Sequence, residues 1–325
     1  MPELAPLDPR LKALGLTSPV ALAPMAGITD RPFRDLVTSF GAGLVVSEMV
    51  ASREMVQAKR SVRDRAEIGA RVEGTSVQIA GREAYWMAES ARLLEDRGAR
   101  MIDINMGCPA KKVTGGLSGS ALLRDHDHAL SLIEAVVAAV SVPVTLKTRL
   151  GWDDDSRNTA ALARRAEAAG IRMLSIHGRT RCQFYKGRAD WSAIAGIVDA
   201  VTIPVLANGD IVDLSSAREA LSASGAAGVM VGRGACGAPS ACGAIADGRD
   251  PVRPWNLCDI ALEHYEAILS FYGRDLGARV ARKHLGWYMD AAGTPAASRR
   301  QVLTAPPEAV PGLLSQALSP EARAA

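Results

Sequence analysis

One unit repeats along the first 235 residues: a short apolar run, often β-branched, ends in small, polar or charged residues, and a segment of helical periodicity follows. The runs are VALAPM (20–25), LVVSEMV (44–50), TSVQIAG (75–81), MIDINMG (101–107), VPVTLKTR (142–149), MLSIHGRT (173–180), IPVLANGD (203–210) and GVMVGRG (228–234). Between them lie stretches such as 82–98, where Tyr85, Ala88 and Leu93 recur at helical spacing. Gly98, Gly170 and Gly225 stand where helix-terminating glycines are expected. Continuous apolar strands alternating with helices predict a parallel sheet covered by helices. Eight such units match an α/β fold of the (β/α)8 TIM-barrel type.

A doubly wound open sheet is the rival, favoured by one local match, G-x-G-x-x-G at 232–237. A dinucleotide fingerprint belongs in the first strand–helix turn, whereas this one follows the eighth apolar run. It reads better as a phosphate cradle of a barrel. After residue 250 the alternation stops. A proline- and charge-rich linker (247–254), helices over 257–273 and 278–293, and a short helix around PGLLSQALS predict a small all-helical C-terminal domain. The expected division is 1–250 for the barrel and 251–325 for the helical domain.

Composition changes this picture little. A formal charge of +3 argues neither for nor against nucleic acid. Cys108, Cys182, Cys236, Cys242 and Cys258 form no CxxC pair, which suggests a reducing compartment. No leader or membrane span is read, so a cytoplasmic protein is expected, and a monomer with no membrane partner. Asp125-His126-Asp127-His128 looks metal-like but stands at a predicted helix start, where acidic residues favour the dipole, and no metal is expected.

The chemistry should lie at the C-terminal strand ends. These carry Pro24-Met25-Ala26-Gly27, Gln78, Asn105 with Cys108, Lys147-Thr148-Arg149, His177-Gly178-Arg179, Asn208-Gly209-Asp210 and Gly232-Arg233. Every end but the second (Ser47-Glu48) offers a ligand-capable group or a small residue. Gln78 and Asn105 suit pyrimidine-like ring edges, Lys147 an electron-rich ring system, and the glycine turns with Arg233 a phosphate. Together they fit flavin mononucleotide (FMN) better than a metal or a nucleoside triphosphate. Singly, Lys147 fits an ion pair and His177 a core histidine equally well, and a lone Cys108 is more often a small buried hydrophobe.

Residues 23–34 (APMAGITDRPFR), 104–116 (INMGCPAKKVTGG), 145–152 (TLKTRLGW), 176–187 (IHGRTRCQFYKG), 206–211 (LANGDI) and 229–234 (VMVGRG) together resemble the tRNA-dihydrouridine synthases. The resemblance is to the bacterial B-type subfamily, some of whose members sit in nitrogen-regulation operons, and it continues through ARKHLGWYMD (281–290). It implies an FMN enzyme that uses NADPH to reduce the C5–C6 double bond of D-loop uridines in tRNA. The family's flavin contacts fall on Pro24, Met25, Ala26, Gln78, Lys147, Asn208, Gly209, Asp210, Gly232 and Arg233, with Asn105 and His177 facing flavin or base. Its proton donor falls on Cys108, which would protonate C5 after hydride reaches C6. A departure at Leu117 and Ser118 lies near the substrate.

A stacked uridine must be extruded to reach such a site, which calls for a wider grip on RNA. Lys111 and Lys112 are placed to meet phosphates. Arg179, Arg181, Lys186 and Arg188 form a basic cluster beside Tyr185, which could stack on a base. Arg279, Arg282 and Lys283 share a helix face, with Arg299 and Arg300 as an extension. The alternatives are an FMN reductase of free pyrimidines, a non-catalytic RNA-binding protein and a metal-dependent hydrolase. The basic clusters, the intact Cys108 with Lys147, and the lack of a His/Asp ligand set respectively speak against them.

Overall fold

A computed structural model describes residues 4–57, 75–251 and 257–319. Nine parallel strands form one sheet in the order β2-β1-β9-β8-β7-β6-β5-β4-β3. They are β1 (Val20–Leu22), β2 (Leu44–Val46), β3 (Val50–Ala51), β4 (Thr75–Ala80), β5 (Ile102–Met106), β6 (Val144–Arg149), β7 (Met173–His177), β8 (Val205–Asn208) and β9 (Gly228–Val231). Pairing of β2 with β4, Val45 opposite Thr75 and Val46 opposite Ser76, closes the ring. The result is an eight-strand barrel with β3 as an accessory strand, and the open-sheet rival is excluded.

The run 44–50 is therefore two strands, not one. Its break at Ser47–Met49 has a cause: the Ser47 hydroxyl accepts from the Gln78 amide at 3.0 Å, and the Glu48 carboxylate accepts from the Gly27 N–H. The second strand end, expected to contribute nothing, supports the loop 24–27.

Helices coat the barrel through the stripes their periodicity predicts. Ala84–Asp96 buries Met87, Ala91 and Leu94, spaced four and three residues apart. Leu214–Ser224 starts with a capping box between Asp213 and Ser216 and ends at Gly225, whose φ of 66° is left-handed. Gly98 and Gly170 also adopt positive φ. Asp125 caps the helix His126–Val137 by accepting from the His128 N–H at 3.0 Å, so the metal-like run is a helix start.

Residues 257–319 form helices Leu257–Tyr272, Arg274–Ala292, Ala296–Thr304 and Val310–Leu318. The second starts four residues earlier than its apolar pattern, and the third escaped the sequence reading because its periodicity buries only Val302. Their core (Leu257, Tyr265, Ile268, Leu285, Met289, Leu314) is separate from that of the barrel. Phe33, from helix Arg31–Ser39, bridges the two cores by packing on His264 and His284 with ring centroids at 5.6 and 5.2 Å. Part of the expected linker, 252–254, lies outside the described residues. Among the described residues no helix is long and apolar enough to cross a membrane.

Candidate active site

A cavity of about 650 Å³ opens at the C-terminal ends of the strands, within the range of small-molecule and cofactor sites. Its lining includes every residue expected to touch a cofactor, from Pro24, Met25 and Ala26 through Gln78, Asn105, Lys147, His177, Asn208, Gly209 and Asp210 to Gly232 and Arg233, together with Cys108. Strand geometry explains the convergence. Neighbours in register, such as Asn105 opposite Lys147 and His177 opposite Asn208, end at the same height.

A hydrogen-bonded relay crosses the floor. Thr145 Oγ1 and Gln78 Nε2 each donate to the Asp103 carboxylate at 2.6 Å. Asn105 Nδ2 then donates to Gln78 Oε1 at 2.8 Å, and Asn105 Oδ1 accepts from the Cys108 N–H at 3.0 Å. Asp103 thus fixes which way both amides face, and through them the backbone that carries the thiol. Burial raises the Asp103 pKa against the bonds from Thr145 and Gln78. Neither Asp103 nor Thr145 was picked out by sequence. Their only signal is a carboxylate and a hydroxyl inside apolar strands, where an unpaired polar group would be costly.

Cys108 is clamped from its other side as well, since its carbonyl accepts from both the N–H and the hydroxyl of Ser120, at 3.1 and 2.9 Å. Gly119, at φ 59°, lets that contact form: a Cβ there would stand 2.8 Å from the Cys108 carbonyl oxygen. Cys108 itself is half-buried and lies two residues past β5, on a fixed loop rather than on the strand.

Lys147 donates to Asn208 Oδ1 at 3.0 Å, and Asn208 Nδ2 donates to the Met230 carbonyl. Burial, reinforced by Arg149, pulls the Lys147 pKa down to about 8, so its ammonium persists at neutral pH. His177 accepts from Arg179 Nη1 through Nε2 at 3.2 Å. Since arginine can only donate, Nε2 carries no proton. Burial and the cations Arg149, Lys147 and Arg179 hold the His177 pKa well below its usual value, so the ring is neutral. Gly209 makes room for it, since a Cβ would stand 2.8 Å from His177 Cδ2.

The glycine pattern at 232–237 divides its labour. A Cβ on Gly232 would meet only Met25 Sδ, at 3.9 Å, so that position fronts open cavity. Gly234 and Gly237 answer to packing, with added Cβ atoms 2.6 Å from the Ile211 carbonyl and 2.5 Å from that of Trp287 in the helical tail. Only the first part of the motif is free to face a phosphate, beside Arg233, whose side chain is 64% exposed. The donor set fits FMN: amides at a ring edge, one ammonium, and a glycine turn with a guanidinium.

Some residues expected to touch RNA are elsewhere than anticipated. Arg179 is buried at 2% exposure, donating to Asp210 and to the Lys186 and Gly187 carbonyls. It braces a loop and lines the cavity instead of standing on the outer surface with the rest of the basic cluster. Burial pushes the Asp210 carboxyl up, but Arg179, the Ala189 amide and Arg233 outweigh it and hold the pKa below the usual range. Arg181 lies over the Trp152 ring at 4.7 Å. Lys186 and Arg188 are exposed, as are Lys111, Lys112, Arg279 and Arg282. Lys283 is half-buried, and Arg299 is engaged by Asp290 at 2.7 Å rather than extending the basic face. Tyr185, 47% exposed, has the guanidiniums of Arg149 and Arg233 over its ring at 5.5 and 5.1 Å.

The dihydrouridine synthase (Dus) family model matches residues 21–309. A probable tRNA-dihydrouridine synthase of Rhodobacter capsulatus is 65% identical over 293 residues, covering 88% of this chain and 90% of that protein. One of Rhizobium leguminosarum bv. phaseoli is 56% identical over 83% of this chain and 85% of its own length. The tRNA-dihydrouridine synthase B of Pseudomonas syringae pv. tomato is 50% identical, over 82% and 81%. Among solved structures, a 2-naphthoyl-CoA reductase complex superposes with a TM-score of 0.57 at 13% identity, over 72% of this chain and 50% of that one. That likeness concerns the barrel fold alone.

Proposed function

The chain belongs to the dihydrouridine synthase family, and from that premise we propose that it is a cytoplasmic, monomeric, FMN-dependent oxidoreductase that reduces the C5–C6 double bond of D-loop uridines in tRNA with NADPH. The observation that carries this reading is the thiol of Cys108, held on both sides of its backbone at the lip of a cavity lined by Lys147, Gln78 and Asn105. The B-type relative supports the choice of subfamily.

FMN, once bound and reduced, supplies the hydride. Pro24–Ala26, Gln78, Asn105 and Lys147 would hold its ring system, His177 and Asn208 would position it, and the backbone of Gly209, Asp210 and Gly232 with the Arg233 guanidinium would receive its phosphate. As C6 of the uracil gains hydride, its π electrons move toward C5 and the O4 carbonyl. Cys108 donates its proton to C5, and the resulting thiolate is reprotonated from solvent. A donor must stand within about 3 Å of the accepting atom, which accounts for the double clamp on the cysteine backbone. Residues 1–250 perform this chemistry. Residues 251–325, through Arg279, Arg282 and Lys283, grip the tRNA together with Lys111, Lys112, Arg181, Tyr185 and Lys186.

Dihydrouridine is mapped by mass spectrometry in tRNA from a strain lacking the gene and complemented with wild type or Cys108→Ala. Loss at a D-loop position, restored by wild type alone, is expected. In single turnover Cys108→Ala should slow product formation by about 10²–10⁴, the usual scale of general acid catalysis, while NADPH still bleaches the flavin. An unchanged map in a strain with no second synthase would remove tRNA as substrate and favour a free-pyrimidine reductase.

A further inference from the structure

Three non-glycine residues adopt left-handed backbone conformations among the described residues: Leu117 (φ 56°), Phe184 (φ 56°) and Asp210 (φ 55°). All three lie on loops that follow barrel strands, and Phe184 and Asp210 line the cavity. For Asp210 the cause is evident, since its carboxylate joins Arg179 to the Ala189 N–H. For Phe184 the backbone is held, its N–H donating to the Arg181 carbonyl at 3.0 Å and its carbonyl accepting from Arg149, but the side chain gains little from it. Its side chain is 43% exposed at the rim of the cavity, and among the described residues it meets a single ring, Tyr185, edge-on at 4.9 Å. A bulky residue held in this conformation and turned outward incurs two costs, backbone strain and exposed apolar surface.

The backbone there is tied to the reactive loop by one buried side chain. Arg149 donates through Nε to the Gly107 carbonyl at 2.7 Å, and through Nη1 to the carbonyls of Thr180 and Phe184 at 3.1 and 2.9 Å. One planar guanidinium thereby sets the spacing between the residue before Cys108 and Phe184. Tyr185, the neighbouring aromatic, already shares its ring with two guanidiniums, which leaves Phe184, of these two rings, without a cation among the described residues.

We propose that Phe184 is the stacking platform for the nucleobase flanking the reduced uridine, and that Arg149 fixes that platform at a set distance from the Cys108 loop. The inference rests on the tRNA reading above. Stacking is tolerant of base identity because every base has a π-face, so Phe184 secures the neighbour while the cavity selects the uracil.

The test uses the flavin-loaded protein and an unmodified tRNA transcript. Phe184→Ala and Phe184→Asn should each raise KM for tRNA by roughly tenfold or more, the scale of one lost base stack, with kcat and flavin affinity within about twofold of wild type. Phe184→Trp should restore KM. Asparagine tolerates the left-handed backbone, so Phe184→Asn should melt no lower than wild type. The proposal is overturned if Phe184→Ala keeps the wild-type KM, if asparagine restores KM as a backbone role requires, or if flavin affinity falls in step as a cofactor cover requires. A wild-type protein inactive on tRNA but active on a free pyrimidine would bring down the tRNA reading and this inference together. An active wild type with an indifferent Phe184 would bring down this inference alone.

Discussion

At the barrel mouth, Gln78, Asp103, Asn105, Lys147 and Arg149 are all buried or nearly so, and each finds a hydrogen-bonding partner. At the seam with the helical tail, His264 and His284 are buried against Phe33 and each other, and neither Nε2 has a partner among the described residues. His264 Nδ1 meets the Tyr288 hydroxyl at 2.9 Å, and the rest of the contact is ring on ring. The mouth keeps charge in place by surrounding it with oriented dipoles. The seam tolerates titratable rings only while they remain neutral. The two regions should therefore fail at opposite ends of the pH scale.

The largest effect is expected at the seam on acidification. Burial, with Lys283 nearby, holds the His264 pKa at about 3; burial, His264 and Lys283 hold that of His284 at about 2. Both lie below the value of a free histidine, so the unfolded chain binds more protons from pH 6.5 downward and stability falls as pH drops. At about 1.4 kcal/mol per pH unit and group, two histidines approach about 5 kcal/mol between pH 6.5 and 4.5. Asp30 opposes this, since burial raises its pKa to about 6 and it gains stability as pH falls below that, but it is one group with a smaller shift. Urea unfolding followed against pH should show the net loss, and a His264→Gln/His284→Gln pair should flatten it.

The next largest effect is expected from Gly237→Ala. The new Cβ would press on the Trp287 carbonyl from a residue at φ 76°, and overpacking of this kind costs about 1–3 kcal/mol. The seam should loosen, seen as faster proteolysis of the tail, while flavin affinity is retained. Equal loss of flavin would mean that the mouth and seam are not separable.

The smallest effect belongs to the mouth in alkali. With its pKa at about 8, Lys147 should lose its charge by pH 9, lowering kcat/KM by about tenfold, roughly 1.4 kcal/mol. Stability should not follow. A lysine depressed from 10.5 carries its cost below about pH 8 and is relieved as pH rises toward 10.5. Lys147→Arg should move this limb out of range, and a limb that persists would assign the titration to another group.

The alternation of apolar strands and helices made the barrel legible, because parallel strands buried on both faces must be continuously apolar. The same register made the site legible: residues at the ends of such strands converge wherever a barrel closes, so Cys108, Lys147, Asn208 and Gly232 could be read together. What escaped were partners distant along the chain. Nothing in RTRCQFYKG distinguishes Arg179, which turns inward to Asp210, from Arg188 just beyond, which stays in solvent. Gly237 completed a phosphate-like pattern, yet it is matched to a tryptophan fifty residues on.

The sequence by itself determined the strand–helix periodicity, the helix caps and the chemical identity of the strand ends, all consequences of local conformation and of which faces must leave water. Only the tertiary structure decided which donors and acceptors would meet. The relay from Asp103 to Cys108 and the guanidinium joining Gly107 to Phe184 exist because closing the barrel brings separate segments within about 3 Å, where hydrogen bonds act and local sequence carries no signal; the neutral histidines at the seam exist because the helical tail packs its rings on Phe33.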